Sequence, residues 1–227
     1  MSSQQRFNRL PHLRSWLPVA VIATLVTLLA GLLGTMPNLR ANQFEIDKNL
    51  NAAGGPLQNA IAQLASELFS PKYAIGLTVV IALLIWILGK SRLDALAFGL
   101  TVAFGWLPAE IFKIMFNEPR ADISTLPNQV MPQEVDASFP SGHVCFAIAF
   151  GFALFYLARN TRAKWAAAAL WLILVITEAW ARLYVGAHLL NDVVGSFFTT
   201  LLGIVVFAYL WNKWFSVKLQ SLRFFKK

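Results

Sequence analysis

Ser138-Phe139-Pro140-Ser141-Gly142-His143 runs straight into an apolar stretch, Val144 to Ala158, and the junction reads as the start of a helix built to hold a phosphate. Ser138 suits an N-cap and Pro140 the first turn, where its missing N–H costs nothing. The next N–H groups have no intrahelical partner and, with the helix dipole, attract an anion. Gly142 has no side chain, so a ligand can come close to the backbone. Ser141 adds a hydroxyl, and His143 a group that takes or gives a proton near neutral pH. A capped helix with an incidental histidine would carry the same residues, so the rest of the chain must decide between the two.

The surroundings are those of a membrane protein. Of 227 residues, 57% are hydrophobic and 13% charged, and the mean hydropathy is +0.59. A soluble domain carries about 25% charged residues. The single cysteine, Cys145, excludes an internal disulfide and lies in an apolar run as a small packing residue. With this composition the net charge of +8 reads as membrane orientation, and no nucleic-acid partner is expected.

Hydropathy predicts an all-α bundle of six spans, near 16–36, 73–88, 93–116, 139–158, 165–185 and 188–211, in one domain covering 1–227. Residues 1–14 are polar and basic, with His12 read as solvated. A basic start before an apolar run also suits a signal peptide. The run 16–36 is longer than a signal core and no small-x-small cleavage site follows, so a retained anchor is expected. Residues 37–71 are mixed in polarity. Gly54-Gly55-Pro56 breaks the chain there, and Leu57 to Phe69 has helical apolar spacing, so a short interfacial helix is expected in this first outer loop. Asn117 to Ala137 is a polar loop, and the tail from Asn212 is basic and aromatic, suited to an anionic membrane surface.

Six spans place both termini on one side. The termini and the loops at 89–94 and 159–164 hold Arg6, Arg9, Arg14, Lys90, Arg92, Arg159, Arg162, Lys164, Lys213, Lys218, Arg223, Lys226 and Lys227, with Asp94 the only acid among them. Positive residues mark the cytoplasmic side. The loops at 37–71 and 117–137 and the break at Gly186 therefore face outward, at the plasma or inner membrane of the cell.

Three clusters of chemistry fall at that outer face: Lys113 with Arg120, then Ser141-Gly142-His143, then Arg182 with His188 and Asp192. Ionisable residues near span ends need a reason, because lipid burial is costly. Asp192 follows His188 by four, which puts both on one helix face. An aspartate there can fix the imidazole tautomer and leave the other nitrogen as a nucleophile. A capping and packing pair would share this spacing. Arg120 and Arg182 have forked donors that suit phosphate oxygens, and Lys113 adds a point charge. Snorkelling and local ion pairs are their alternative roles. Glu110 lies three residues before Lys113 and Glu178 four before Arg182, so both are read as partners offsetting those charges. Glu178 could instead be the proton-relay carboxylate of a transporter.

These clusters resemble the three signature motifs of the type 2 phosphatidic acid phosphatase superfamily. The first runs from Lys113 to Arg120, the second is Pro140-Ser141-Gly142-His143 in full, and the third runs from Arg182 through His188 to Asp192. Two positions depart from the family pattern. Ala121 follows Arg120 where the family has proline, and Ala181 precedes Arg182 where it has serine. The resemblance implies a metal-free and cofactor-free phosphatase. In it His188 attacks phosphorus, Asp192 orients His188, and His143 protonates the leaving oxygen and then activates water. Lys113, Arg120, Arg182, Ser141 and the Gly142 N–H would neutralise the transferring group.

An outward site without a soluble domain suits a lipid phosphate as substrate, with its tail left in the bilayer. Undecaprenyl diphosphate is favoured by family frequency, ahead of phosphatidylglycerol phosphate, phosphatidic acid and lipid A phosphates. A lipid-to-lipid phosphotransferase would use the same residues, and a catalytically dead family member or a six-span transporter would share the plan. Hydropathy excludes the soluble haloperoxidases that carry these motifs. The sequence leaves the oligomeric state open.

Overall fold

The structure, a computed structural model, describes residues 16–89, 91–158, 160–215 and 218–219. The basic N-terminal stretch with Arg6, Arg9, His12 and Arg14, the loop residues Lys90 and Arg159, and the tail beyond 219 lie outside the described residues.

Among the described residues the chain is all helical. The helices are α1 (Trp16–Gly34), α2 (Pro37–Ala52), α3 (Pro56–Leu68), α4 (Pro71–Gly89), α5 (Arg92–Trp106), α6 (Pro108–Phe116), α7 (Gly142–Leu157), α8 (Thr161–Tyr184) and α9 (Leu190–Leu210). A 3-10 turn lies at Ile123–Thr125, and a π turn at Trp211–Phe215 extends α9. Five stretches are long and apolar enough to cross a membrane: Trp16–Gly34, Pro71–Gly89, Arg92–Phe116, Thr161–Tyr184 and Leu190–Phe215. The protein is thus a multi-span helical membrane bundle.

The expected fourth span is where sequence and structure part. The helix begins at Gly142, with Ser141 as its N-cap accepting from the Val144 N–H at 3.5 Å. Ser138 and Pro140 precede it. At 16 residues α7 rises only about 24 Å, short of the roughly 30 Å hydrocarbon layer. It is buried nearly all round, from Val144 to Gly151, because α5, α8 and α9 pack about it. An apolar helix with no polar face belongs in such a position.

Close helix approach rests on small residues, as membrane bundles require. A Cβ on Gly203 of α9 would lie 2.0 Å from the Phe104 carbonyl oxygen of α5, and one on Gly195 2.3 Å from the Phe139 ring. The third span breaks at Leu107, because Pro108 lacks the N–H that would continue α5. Its last piece, α6, ends where Asn117 turns left-handed at φ 41° and donates to the Lys113 carbonyl at 2.9 Å. α1 packs along α9 and so contributes to the bundle itself.

The connection at 37–71 holds two helices. α3 occupies the expected stretch. α2 has no apolar periodicity because its buried face is polar: Gln43, Asp47 and Asn51, four residues apart, line it. Asn51 clamps the long loop after α6. It accepts from the Asn128 N–H at 2.7 Å and donates to the carbonyls of Asn128 at 2.9 Å and Tyr184 at 2.8 Å.

Candidate active site

The three clusters, distant in sequence, converge at one end of the bundle. His188 lies in the turn between α8 and α9. Gly186, at φ +65°, allows the reversal, and the N–H groups of Ala187 and His188 fold back onto the Arg182 carbonyl at 3.1 and 3.3 Å. Lys113, Arg120, Arg182 and His143 are all close enough to act electrostatically on His188.

His188 is 1% exposed. Its Nδ1 lies 3.3 Å from Asp192 Oδ2, and its Nε2 lies 3.1 Å from Arg120 Nη1. His188 Nδ1–H donates to Asp192 only in the tautomer whose Nε2 carries a lone pair, and Arg120 donates to that lone pair. Asp192 is itself fully enclosed. Its Oδ2 accepts from the Ser138 hydroxyl and from the Leu189 N–H at 3.0 Å, and its Oδ1 from Asn191 Nδ2 at 3.0 Å. The aspartate thus caps the first turn of α9 while it holds the histidine. Ser138, expected as a helix cap, serves the aspartate instead, and Asn191 joins it there with no sequence signal for that role.

His143 is half-buried in the first turn of α7, with Nε2 3.1 Å from the Ser66 carbonyl at the end of α3. When Nε2 carries the proton and donates to that carbonyl, Nδ1 is free to exchange one. Gly142 abuts Trp106, whose indole nitrogen lies 3.3 Å from where a Cβ would sit and has no partner although buried.

Of the three cations, Arg182 is fully buried in the last turn of α8, yet its Nε and Nη1 bond to nothing. Unfilled guanidinium donors in a closed site need an acceptor, and an incoming anion supplies it. The carboxylates that offset the cations come from the long loop and not from the helices. Asp136 pairs with Lys113 and with Arg120 at 2.7 Å, and Glu134 pairs with Arg182 and with Arg120 at 2.6 Å. Burial pushes the Asp136 carboxyl up, but the hydrogen bonds from Lys113 and Arg120 outweigh it and hold the group at about 2, ionised at neutral pH. Glu110, expected beside Lys113, is exposed on α6, and Glu178, expected beside Arg182, is buried with neither oxygen hydrogen-bonded. Helix spacing placed each acid on its cation's face, but Lys113 and Arg182 reach into the loop. The sequence signal for Glu134 and Asp136 was their place just ahead of the Ser138–His143 stretch, in a loop with no periodicity to assign them a face.

Among the described residues no three His, Cys, Asp or Glu side chains are grouped to hold a metal ion.

A helical bundle with two histidines and a cationic seat at one end defines a membrane protein built to take an anionic head group. A family model described as the PAP2 superfamily matches residues 94–216, more than half of the chain, and the chain belongs to that superfamily. Undecaprenyl-diphosphatase BcrC of Bacillus subtilis (strain 168) is 32% identical over 130 residues, 56% of this chain and 64% of that relative's length. The bacitracin transport permease protein BcrC of Bacillus licheniformis is 28% identical over 169 residues, 72% of this chain and 74% of the relative. In fold, the chain matches the crystal structure of the first transmembrane PAP2 type phosphatidylglycerolphosphate phosphatase from Bacillus subtilis. The TM-score is 0.70 at 20% identity, over 90% of this chain and 98% of that one.

Proposed function

We propose that the protein is a metal-independent phosphatase of membrane lipid phosphates, with undecaprenyl diphosphate as the favoured substrate, working through a phosphohistidine. The observation that carries this is the pairing of His188 with Asp192 through Nδ1, with Nε2 turned towards Arg120. Phosphoryl transfer needs chiefly positioning and charge neutralisation; Arg120 lies on that nitrogen, and Lys113 and Arg182 act on the same imidazole.

In the proposed reaction Arg120 leaves Nε2 to bind a phosphate oxygen, and the freed lone pair attacks phosphorus. The phosphorus–oxygen bond to the leaving group breaks, and His143, entering the step protonated on both ring nitrogens, gives that oxygen its Nδ1 proton and keeps the Nε2 proton on the Ser66 carbonyl. Asp192 stabilises the imidazolium as charge builds on His188. Water then gives a proton to His143 and attacks the phosphohistidine, which returns the Nε2 lone pair and frees phosphate. Arg182 Nε and Nη1, Lys113, the Ser141 hydroxyl and the Gly142 N–H are oriented donors for the equatorial oxygens, and such donors matter most in the transition state.

The lipid reaches this site from the outer leaflet in a six-span arrangement, with α7 as the inner span and both termini cytoplasmic. The relative named as an undecaprenyl-diphosphatase supports the substrate. The relative named as a transport permease favours a second reading, in which Glu178, buried without a partner, carries a proton. Against it, Glu178 sits one turn from Arg182 and no ladder of charges crosses the bundle among the described residues.

Phosphate release by detergent-purified protein tests the proposal. The panel comprises undecaprenyl diphosphate, phosphatidylglycerol phosphate, phosphatidic acid and a lipid A phosphate, with chelator present. Release is expected from wild type and is lost in His188→Ala, with no effect of the chelator. Full turnover in His188→Ala would overturn the mechanism, and wild-type silence with measurable lipid-to-lipid phosphate transfer would replace hydrolysis with transfer.

A further inference from the structure

We propose that Glu134 and Asp136 form a built-in competitor for the anion seat, a pair of carboxylates that stands where two phosphates will lie and so selects a diphosphate head group over a monophosphate. The inference deepens the phosphatase reading above and rests on it.

Both carboxylates bond to the same guanidinium nitrogen, Arg120 Nη2, at 2.6 and 2.7 Å. Two anionic groups therefore lie side by side, bridged by one cation. Outward from that bridge Glu134 reaches Arg182 and Asp136 reaches Lys113. This is the charge pattern a diphosphate would meet: one shared cation at the centre and one cation for each end. Every cation expected to bind phosphate is already engaged by an acid of the loop. Arg120 is, in addition, held against His188 Nε2, so the resting site has its nucleophile covered.

The pair is arranged to leave. The cation side chains lie deep, at 9%, 3% and 0% exposure for Lys113, Arg120 and Arg182, while Glu134 and Asp136 are 27% and 56% exposed. Val135 between them is fully exposed, so no apolar contact of its own holds the segment down. A departing carboxylate regains water at once, whereas the buried guanidinium of Arg182 would be left with no acceptor unless an anion replaces it. A monophosphate can replace one carboxylate, but the other then sits beside it as a like charge. A diphosphate replaces both and keeps the charge balance. Discrimination arises from repulsion against the wrong ligand as well as attraction for the right one.

The alternative role for these acids, holding the cations in place, gives the opposite sign. Were they scaffolding, neutralising them would weaken anion binding. As competitors, neutralising them raises the fraction of protein open to anions and tightens binding. The test uses the full-length protein in detergent, as wild type, Glu134→Gln, Asp136→Asn and the double variant. Inorganic phosphate and pyrophosphate are titrated by thermal shift, with KM and kcat measured on a lipid diphosphate and a lipid monophosphate. In wild type, pyrophosphate is expected to bind more tightly than phosphate. In the double variant, phosphate binding should tighten about tenfold, and the preference of KM for the diphosphate should narrow. Weaker or unchanged phosphate binding in the double variant overturns the proposal. Should the variants fail to fold, hydrogen exchange of wild type decides: pyrophosphate should speed exchange at 133–137, and protection or no change there overturns it. The binding and exchange arms need no turnover, so a wild type that hydrolyses no lipid would sink the phosphatase reading while these arms still judge the gate.

Discussion

Asp192 gathers the Ser138 hydroxyl, the Leu189 N–H, Asn191 Nδ2 and His188 Nδ1 around one buried carboxylate. Replacing it with asparagine keeps the size but removes the charge that stabilises a cationic imidazole and presents the wrong tautomer partner. Asp192→Asn is expected to lower kcat about 10³-fold or more with little change in KM. Ser138→Ala removes one of the aspartate's donors and leaves the rest, so a loss of about tenfold in kcat is expected. Steady-state kinetics of the two variants on the preferred lipid checks the ranking, and equal losses would mean that the hydroxyl does more than position the carboxylate. At this scale the sequence was legible where chemistry dictates spacing. His188 and Asp192 must share a helix face, and a phosphate seat must carry guanidinium groups. It was illegible where a side chain crosses from one element to another. Ser138 bonds across 54 residues, and Arg182 reaches 48 residues back to Glu134. No local period records such contacts.

α2 shows the same limit for a whole helix. Periodicity finds a buried face by its apolar residues, and the buried face of α2 is Gln43, Asp47 and Asn51. Gln43 accepts the Asn191 N–H at 2.8 Å beside the aspartate, and Asn51 fixes the loop that carries Arg120, Glu134 and Asp136. The helix is therefore the outer wall of the site, held on by hydrogen bonds. Asp47 is 1% exposed and one of its oxygens has no partner. Burial, and then the Asp192 charge, raise its carboxyl from 3.8 to about 8. The folded protein keeps a proton there that the unfolded chain releases, so this group makes stability fall as pH rises from about 4 to about 8. Glu118, held at about 7 by burial and by Asp192 despite Arg40, contributes a slope of the same sign. Asp47→Asn is neutral at every pH. It is expected to flatten this dependence and to raise Tm at pH 8 by roughly a few degrees, with little effect at pH 4. Thermal melts in detergent across that range check it, and an unchanged slope would show that Asp47 is ionised in the fold.

For the whole molecule, hydropathy located five of the spanning stretches within a few residues, because bilayer thickness sets their length. It did not foresee that α7 is short and enclosed by its neighbours, or that the third stretch is built of two helices broken at Pro108. The site gathers the end of α6, the start of α7 and the α8–α9 turn at one end of the bundle, so its sidedness follows from the sidedness of any loop there. In the proposed orientation that end faces outward, because Arg162 and Lys164 sit at the opposite end of α8 from Arg182 and positive residues mark the cytoplasmic side. The one cysteine, Cys145, is buried and should stay silent towards a membrane-impermeant maleimide, which makes single introduced cysteines clean reporters. Ser124, on the site side, and Arg162, at the start of α8, are both exposed. Ser124→Cys is expected to label in intact cells, and Arg162→Cys only after permeabilisation. The reverse pattern would turn the site to the cytoplasm and change which pool of lipid phosphate it can draw on, because a diphosphate head group does not cross the hydrocarbon layer unaided.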